Sequence, residues 1–312
     1  MDFLKYDLAI VGAGPAGLTA AIYARRANAS VVFVDKAAPG GKVVTTAVVE
    51  NYPGFESISG PDLALKFFEQ AQKLKAKFIF SEVVEIDSNT DEYKYVYLAN
   101  GKVIQAKAVI IATGMVNRKI GAANEDRLFD HGISYCAICD GALFRDKPVA
   151  VIGSGRSAVE ESIYLSDIAS HVTVISNKKE FKADQPQIEL MMSKANIDVI
   201  MDSDTLSFNG QDKLESITLK NKTTGEESNL NVDGAFIFIG FLPISPSVNK
   251  ESFLDPELKF LKVDSAMKTN IKGIFAAGDI TSKNIRQIST AINDGTIAAL
   301  SACEYITHNK WN

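Results

Sequence analysis

The chain has little of what marks secreted, membrane-spanning or nucleic-acid-binding proteins. Its 312 residues include only three cysteines and three histidines, and no apolar run approaches the roughly 18 residues of a membrane helix. Three cysteines cannot form the disulfide framework of a small secreted protein. The net charge is -5 without a dense run of Lys or Arg, which argues against a nucleic-acid partner. With no secretory signal at its start, the sequence predicts a cytoplasmic protein without a membrane partner.

Two glycine-rich turns are present, a first glycine turn at Gly12–Gly17 and a second at Gly153–Ala158. Each follows a short apolar run and precedes a helix-like segment and a further apolar run. This order of strand, turn, helix and strand is typical of a βαβ dinucleotide-binding unit. Its glycines let the backbone approach a pyrophosphate at the start of the helix. Two copies in register are harder to reach by chance than one.

The segments between these units predict the rest of the architecture. Residues Lys77–Val109 alternate polar and apolar side chains, as in an antiparallel β-meander, and a similar pattern begins at Ser216. The C-terminal part offers one strand near Gly273–Ala277 and one helix near Gln287–Tyr305, too little for a separate domain. We therefore predict an α/β fold of two Rossmann-like, three-layer dinucleotide-binding domains, the second inserted into the first, each with a β-meander. The expected boundaries are 1–116 with 245–312 for the first domain and 117–244 for the second.

The two units differ where their second strands end. Asp35 ends the first of these strands and is placed to accept hydrogen bonds from an adenosine ribose, so an unphosphorylated adenosine such as that of FAD or NAD fits. In the second unit Ser176 takes this place, and Lys178 and Lys182 follow. Those lysines would attract a 2'-phosphate, which favours NADPH over NADH. Lysine lacks the planar fork of arginine, so we expect looser binding.

Between the two glycine turns lies a pair of cysteines, Cys136 and Cys139. With this spacing one thiolate can attack a disulfide and the second thiol can resolve the mixed disulfide. The pair could also form half of a zinc site, but zinc takes four ligands and the histidines are scattered. We therefore predict a redox-active dithiol and no metal site. Cys303 stands alone and is interpreted as a small apolar residue on the inner face of a late helix.

A set of motifs spans nearly the whole chain in a fixed order. They are Gly12–Gly17, Gly40-Gly41, Glu50–Gly54, Ala112–Gly114, Cys136–Asp140, Ala277–Asp279 and Arg286-Gln287. In this order they resemble the low-molecular-weight thioredoxin reductase family. The resemblance implies a homodimeric enzyme with FAD in the first domain and NADPH in the second, passing electrons through FAD to the Cys136–Cys139 disulfide and on to thioredoxin.

The resemblance also implies residue roles. Cys139 would face the flavin, Cys136 would attack the protein substrate, and Asp140 would protonate the leaving thiolate. The candidate FAD residues are Gly12, Gly14, Pro15, Ala16, Gly17, Asp35, Lys36, Gly40, Gly41, Lys42, Asn51, Thr113, Gly114, Gly278, Asp279, Arg286, Gln287 and Ile288. The candidate NADPH residues are Gly153, Gly155, Arg156, Ser157, Ala158, Glu160, Ser176, Lys178 and Lys182.

Several positions depart from the family pattern. Lys42 stands where a glutamine usually follows the paired glycines, and Ser176 begins a stretch that usually reads His-Arg-Arg. Arg156 within the second glycine turn is also unusual. These departures leave alternatives open: the same flavin and dithiol enzyme fed by NADH or by a non-nicotinamide donor (ferredoxin, flavodoxin or a deazaflavin), or a redox-sensing flavoprotein.

Overall fold

The fold is described from a computed structural model of the chain. It describes residues 3–46, 48–90, 92–244, 246–248, 260–308 and 311. The chain divides into two compact units, the first formed by Met1–Val116 with Leu242–Asn312 and the second by Asn117–Phe241. The return to the first unit thus comes at residue 242, earlier than the expected 245, and residue 245 itself lies outside the described residues.

The helices and strands are numbered here in chain order. The helices are α1 (Pro15–Arg26), α2 (Gly60–Lys73), α3 (Ala137–Asp140), α4 (Arg156–Ser166), α5 (Gln185–Ser193) and α6 (Ile288–His308). The strands are β1 (Leu4–Val11), β2 (Val31–Asp35), β3 (Lys77–Phe80), β4 (Val83–Asp87), β5 (Lys94–Leu98), β6 (Val103–Ile111), β7 (Met115–Asn117), β8 (Ile133–Ser134), β9 (Pro148–Ile152), β10 (His171–Ile175), β11 (Ile197–Ile200), β12 (Ser203–Asn209), β13 (Ser216–Asn221), β14 (Glu227–Asn231), β15 (Gly234–Ile237), β16 (Phe241–Pro243), β17 (Ser247–Val248) and β18 (Ile274–Ala276).

The first unit is built on one sheet in the order β17-β4-β5-β6-β1-β2-β3, with β18 added beside β6. Strands β3, β2, β1, β6 and β18 are parallel, whereas β4, β5 and β6 pair antiparallel. The C-terminal strand therefore returns to complete the first sheet, as predicted. The expected meander start at Lys77 is wrong, because Lys77–Phe80 pairs with β2 and the meander begins at Val83. Phe78 stacks on Phe33 across that parallel pair, with ring centroids 5.2 Å apart.

Small residues bring α1 and α6 into close contact. A Cβ on Gly295 would overlap the carbonyl oxygen of Ala16, and one on Gly278 would lie 2.8 Å from the Cβ of Ala16. The apolar core on this side of the sheet contains Leu8, Ile10 and many buried alanines of the two helices. Such packing leaves no room for larger side chains at the contact. It places the start of α1 beside the loop that precedes α6.

The second unit repeats this plan with a separate meander. Its parallel sheet has the order β11-β10-β9-β15-β8, and β12, β13 and β14 form a three-stranded antiparallel sheet. Strands β7 and β16, in which the chain passes from one unit to the other, pair with each other. The predicted α/β fold of two Rossmann-like units, one inserted into the other and each with a meander, is confirmed.

No helix in the described part of the chain is both long enough and apolar enough to cross a membrane.

The contact between α1 and α6 gives a direct test of this packing. We expect Gly295→Ala to destabilise the chain by about 1–3 kcal/mol, because the added methyl group meets backbone that cannot move aside. Gly155→Ala is the matched control, since nothing lies within 4 Å of its Cβ position and its φ of -88° suits alanine. The midpoints of thermal unfolding measure both effects. Equal midpoints for the two variants would contradict the packing described.

Candidate functional site

The first glycine turn joins β1 to α1 with the close approaches that a pyrophosphate loop needs. Gly12 has φ +107°, and a Cβ there would overlap the Ala112 carbonyl oxygen. A Cβ on Gly17 would likewise overlap the Gly12 carbonyl oxygen. Gly14 caps α1, Pro15 opens it, and no side chain caps the first N–H groups. These N–H groups are the usual partners of a phosphate at a helix start.

Asp35, at the end of β2, is fixed by the turn itself. Its Oδ2 accepts the Ala13 N–H at 2.7 Å, and its Oδ1 accepts the Ala37 N–H at 2.9 Å. A carboxylate oxygen accepts more than one hydrogen bond, so capacity remains for the predicted ribose hydroxyls. The structure adds a role that the sequence did not reveal, which is to hold the glycine turn. Lys36 beside it pairs with Glu82 at 2.8 Å.

Asp279 presents a buried acceptor that the protein leaves unused. Its Oδ1 is inaccessible to solvent and has no hydrogen-bond partner among the described residues. Burial raises the pKa of this carboxyl, although Lys283, Lys42 and Arg286 act in the opposite direction. Unpaired buried acceptors are rare in folded proteins. An orphan of this kind suits a ligand that brings hydroxyl donors, as the ribityl chain of FAD would.

The Gly278-Asp279 turn is held from behind by α6. Asp294 is 6% exposed, and its Oδ2 accepts both the Gly278 N–H at 3.1 Å and the Lys283 ammonium at 2.7 Å. A carboxylate that fixes two donors positions the turn next to it. Sequence reasoning missed Asp294 and Lys283. The available signal was an acidic residue in a stretch, 288–303, of otherwise uncharged residues.

Further candidates from distant parts of the chain meet around this turn. Asn51 Nδ2 donates to Gln287 Oε1 at 3.3 Å, and the Arg286 guanidinium lies 4.5 Å from the ring centre of Phe260. Lys42 follows Gly41 in a short 3₁₀ helix, and burial lowers the pKa of its ammonium group. Among the remaining candidates, Thr113 has a buried Oγ1 without a partner among the described residues, and Gly40 donates its N–H to Ala13 O at 2.7 Å. Ile288 packs against the apolar cluster formed by Val43, Val49, Leu63 and Ala64.

The cysteine pair lies at the start of α3 and is joined in a disulfide. Cys136 is the N-cap of α3, and the Cys139 N–H donates to its Sγ at 3.2 Å. Cys139 is exposed, whereas Cys136 is partly buried. The second unit thus exposes Cys139, while Cys136 lies at the helix start, where backbone N–H groups stabilise a thiolate.

Asp140, the last residue of α3, is linked to this pair through one serine. Ser134 Oγ lies 2.6 Å from Asp140 Oδ2 and accepts the Cys136 N–H at 3.0 Å. Burial raises the pKa of Asp140, and the hydrogen bond from Ser134 opposes that shift. A carboxyl with a raised pKa retains its proton closer to neutral pH. Sequence reasoning missed Ser134, which precedes the motif without belonging to it.

The second glycine turn matches the first in its backbone. Gly153 has φ +154°, and a Cβ there would overlap the Phe238 carbonyl oxygen. Gly155 caps α4 without a side-chain hydrogen bond, and Ala158 is fully buried in third place. Ser157 lies exposed in the first turn of α4. The Lys182 N–H donates to Ser154 O at 2.7 Å, so the segment after β10 runs alongside the turn.

The charged candidates of this unit are divided between two places. Arg156 pairs with Glu160 at 2.7 Å on the exposed face of α4. Lys178 follows β10, where its backbone N–H donates to the buried Ser176 hydroxyl at 3.0 Å. Lys222, which sequence reasoning missed, reaches the same strand end and donates from Nζ to Asn177 O at 3.1 Å. The structure thus gathers lysines at the end of β10.

Among the described residues, no three His, Cys, Asp or Glu side chains are grouped as a metal site requires. Cys303 lies partly buried in α6, and burial raises the pKa of its thiol. A thiol with a raised pKa is less reactive.

Comparison with known proteins gives consistent matches. The family model described as pyridine nucleotide-disulphide oxidoreductase matches residues 6–295. The chain is 47% identical over 306 residues to a thioredoxin reductase of Ureaplasma parvum, covering 98% of each chain. It is 42% identical to a thioredoxin reductase of Bacillus subtilis, covering 96% of this chain and 95% of the relative. The crystal structure of thioredoxin reductase from Streptococcus pyogenes matches with a TM-score of 0.92 and 39% identity, covering 98% of this chain and 99% of that one.

The burial of Asp279 leads to a prediction about stability. A folded-state pKa above the unfolded value means that the folded chain favours the protonated acid, so the stabilising contribution is present at low pH and is lost as pH rises. We expect Asp279→Asn to raise the unfolding temperature of the cofactor-free chain at pH 8 by about 2–4 °C, and less at pH 5.

Asp294→Asn is the matched control for this prediction. Its carboxylate is paired with Lys283, so the same substitution there should lower the unfolding temperature. Differential scanning fluorimetry at both pH values measures the two effects. A loss of stability in the Asp279 variant at pH 8 would show that its carboxylate is satisfied in the protein.

Proposed function

The chain belongs to the pyridine nucleotide-disulphide oxidoreductase family, among the thioredoxin reductases, and on this premise we propose that it reduces thioredoxin with electrons from NADPH. The family predicted from the motifs is confirmed by these matches. The chain is an FAD-dependent oxidoreductase. The observation that carries the proposal is the Cys136–Cys139 disulfide beside a carboxyl of raised pKa, on a unit that also has a dinucleotide turn.

The first unit offers the residues that would hold FAD. The first glycine turn and α1 would take the pyrophosphate, Asp35 the ribose, and Asp279 the ribityl hydroxyls, for which its free Oδ1 is suited. Asp294 would hold Asp279 in place through Gly278. When bound, FAD supplies a centre that takes two electrons as hydride from the nucleotide and gives them to the disulfide.

The second unit carries out the thiol chemistry. In the reduced enzyme the Cys136 thiolate attacks one sulfur of the thioredoxin disulfide, and the leaving thiolate takes a proton from Asp140. Cys139 then attacks the mixed disulfide, which restores the Cys136–Cys139 bond and releases the second thioredoxin thiolate. Two electrons pass to thioredoxin in the exchange. A carboxyl buried enough to remain protonated is suited to this step.

NADPH is the donor that the second unit supports best. Gly153 and Gly155 keep the pyrophosphate turn open, while the end of β10 carries lysines and no ribose-binding carboxylate. Positive charge there attracts a 2'-phosphate. The replacement of arginine by lysine keeps a non-nicotinamide donor as the second candidate, because a point charge grips phosphate less selectively than a guanidinium fork.

We expect the purified chain to oxidise NADPH only when oxidised thioredoxin is present. Parallel assays with NADPH, NADH and reduced ferredoxin measure the donor preference. Cys136→Ser and Cys139→Ser should each abolish turnover, since both thiols are needed, while Cys303→Ser is the matched control and should keep it. Turnover with reduced ferredoxin but with neither NADPH nor NADH would show that the donor is the non-nicotinamide one.

The lysines after β10 provide a separate prediction. Replacing Lys178 and Lys182 by Gln should raise KM for NADPH by about 10- to 100-fold, because two hydrogen bonds from these side chains are weakened and each contributes about 0.5–1.5 kcal/mol. KM for NADH should change little. Lys179→Gln, an exposed neighbour, is the matched control. An equal loss for both nucleotides would mean that the lysines do not contact the 2'-phosphate.

Assembly and location complete the proposal. We expect a homodimer in the cytoplasm, as the resemblance to the family and the presence of a reactive dithiol without structural disulfides suggest. Sedimentation equilibrium of the FAD-loaded chain would test the dimer. Cell fractionation would test the location.

A further inference from the structure

One polar side chain beside the dithiol has no part in the steps proposed above. Ser134 ends β8 and is 4% exposed. Its Oγ lies 2.6 Å from Asp140 Oδ2, 3.0 Å from the backbone nitrogen of Cys136 and 3.3 Å from the Cys136 carbonyl oxygen. A hydroxyl group has one proton to donate and two lone pairs. The Cys136 N–H occupies one lone pair, so the proton and one lone pair remain.

The Ser134 hydroxyl can therefore form a full set of hydrogen bonds in two arrangements, one for each protonation state of Asp140. When Asp140 is ionised, the Ser134 hydroxyl donates to Oδ2, and 2.6 Å is within the usual range for a hydroxyl on a carboxylate. When Asp140 carries a proton on Oδ2, that proton is donated to Ser134 Oγ. The Ser134 hydroxyl then turns to the Cys136 carbonyl oxygen. No hydroxyl or carboxyl oxygen of the pair loses its hydrogen bond in either state.

The geometry assigns Ser134 as a positioning residue that lets Asp140 release its proton and links this release to the backbone of Cys136. The assignment rests on the proposed function, because it needs Asp140 as the proton donor in disulfide exchange. During exchange the Asp140 proton goes to the leaving thiolate, and the Ser134 hydroxyl turns from the Cys136 carbonyl to Oδ2. The carbonyl keeps its hydrogen bond from the Asp140 N–H at 3.1 Å, so the turn of α3 is preserved.

Other ionisable groups surround this pair and must be separated from it. Burial and the nearby Asp140 carboxylate raise the pKa of Asp130, while His131 lowers it. The ring of Tyr164, on the neighbouring α4, approaches within 3.5 Å of the Cβ position of Gly141. Cys136 and Cys139 themselves titrate once reduced. Asp130→Asn is therefore included, so that a change in the pH profile can be assigned to Asp140.

The experiment uses the full chain with its dithiol reduced, and needs neither NADPH nor thioredoxin. Stopped-flow or quenched-flow rates are measured from pH 5 to 10 with 2-hydroxyethyl disulfide, whose alkyl thiolate is a poor leaving group. The same rates are measured with 5,5'-dithiobis(2-nitrobenzoate), whose aromatic thiolate leaves without a proton. Wild type, Ser134→Ala, Ser134→Thr, Asp140→Asn and the Ala/Asn double variant are compared. Ser166→Ala, which removes a hydroxyl bound to Ile163 O at 2.7 Å, is the matched control.

We expect Ser134→Ala to slow the reaction with the alkyl disulfide about tenfold at pH 7, the factor for one lost hydrogen bond. In the plot of rate against pH, the fall on the alkaline side should move to higher pH, because the ionised form of Asp140 loses a hydrogen-bond donor. The aromatic disulfide should react at the wild-type rate. Ser134→Thr should restore both features, and Ser134→Ala should have no further effect when Asp140 is already Asn.

Three results would overturn the assignment. The first is an unchanged rate and an unchanged alkaline fall in Ser134→Ala. The second is a slowing that does not depend on the leaving group or on Asp140: Ser134→Ala slows both disulfides equally, or slows the reaction further when Asp140 is already Asn, or Ser166→Ala slows it as much. Any of these would indicate a structural effect. The third is an Asp140→Asn variant as fast as wild type with the alkyl disulfide, which would remove the acid role itself. Failure of NADPH to support thioredoxin reduction would refute the proposed donor and leave this assay unaffected.

Discussion

The contact between glycine backbone and a neighbouring carbonyl group determines the geometry of both nucleotide turns. At Gly12 the neighbour is Ala112 O, and at Gly153 it is Phe238 O, each at the end of the next parallel strand. Any side chain at either glycine would separate strand from turn. Because the contact holds the start of α1 and of α4 against the strand ends, the N–H groups of each helix start are aimed at one place. Everything proposed for nucleotide binding depends on that placement.

The sequence predicts this plan because the close approach of backbone at each turn requires particular residue types, above all glycine. Paired glycine turns, apolar strands and small-residue helices predict a repeated βαβ unit, and the structure has it twice. The error at Lys77–Phe80 has a physical reason: a short, partly exposed strand has the same kind of residue pattern at a parallel sheet edge as in an antiparallel meander. Only the observed pairing of Phe78 with Phe33 distinguishes a parallel edge strand from a meander strand here, and that pairing depends on the fold.

Supporting residues were harder to predict than the motif residues. Ser134, Asp294, Lys283 and Lys222 act through contacts whose partners lie on other segments or belong to the backbone. A serine or a lysine is common on any surface, so its type alone carries little information. Asp35 shows the same limit, since the sequence predicts its carboxylate as a ribose ligand but gives no sign that it anchors Ala13. Motifs identify the groups that touch a ligand, whereas the groups that hold them need coordinates.

Asp140 and Asp279 show how burial can serve two different ends. Both carboxyls have a raised pKa because burial disfavours the charged form. Asp279 has cations nearby and a free oxygen, so a bound ligand with hydroxyl groups would satisfy it without any proton moving. Asp140 has instead a neighbour that can donate or accept, which allows its proton to leave and return. In the proposed mechanism the same desolvation therefore accompanies a fixed acceptor at Asp279 and a proton donor at Asp140, and the groups next to each carboxyl distinguish the two roles.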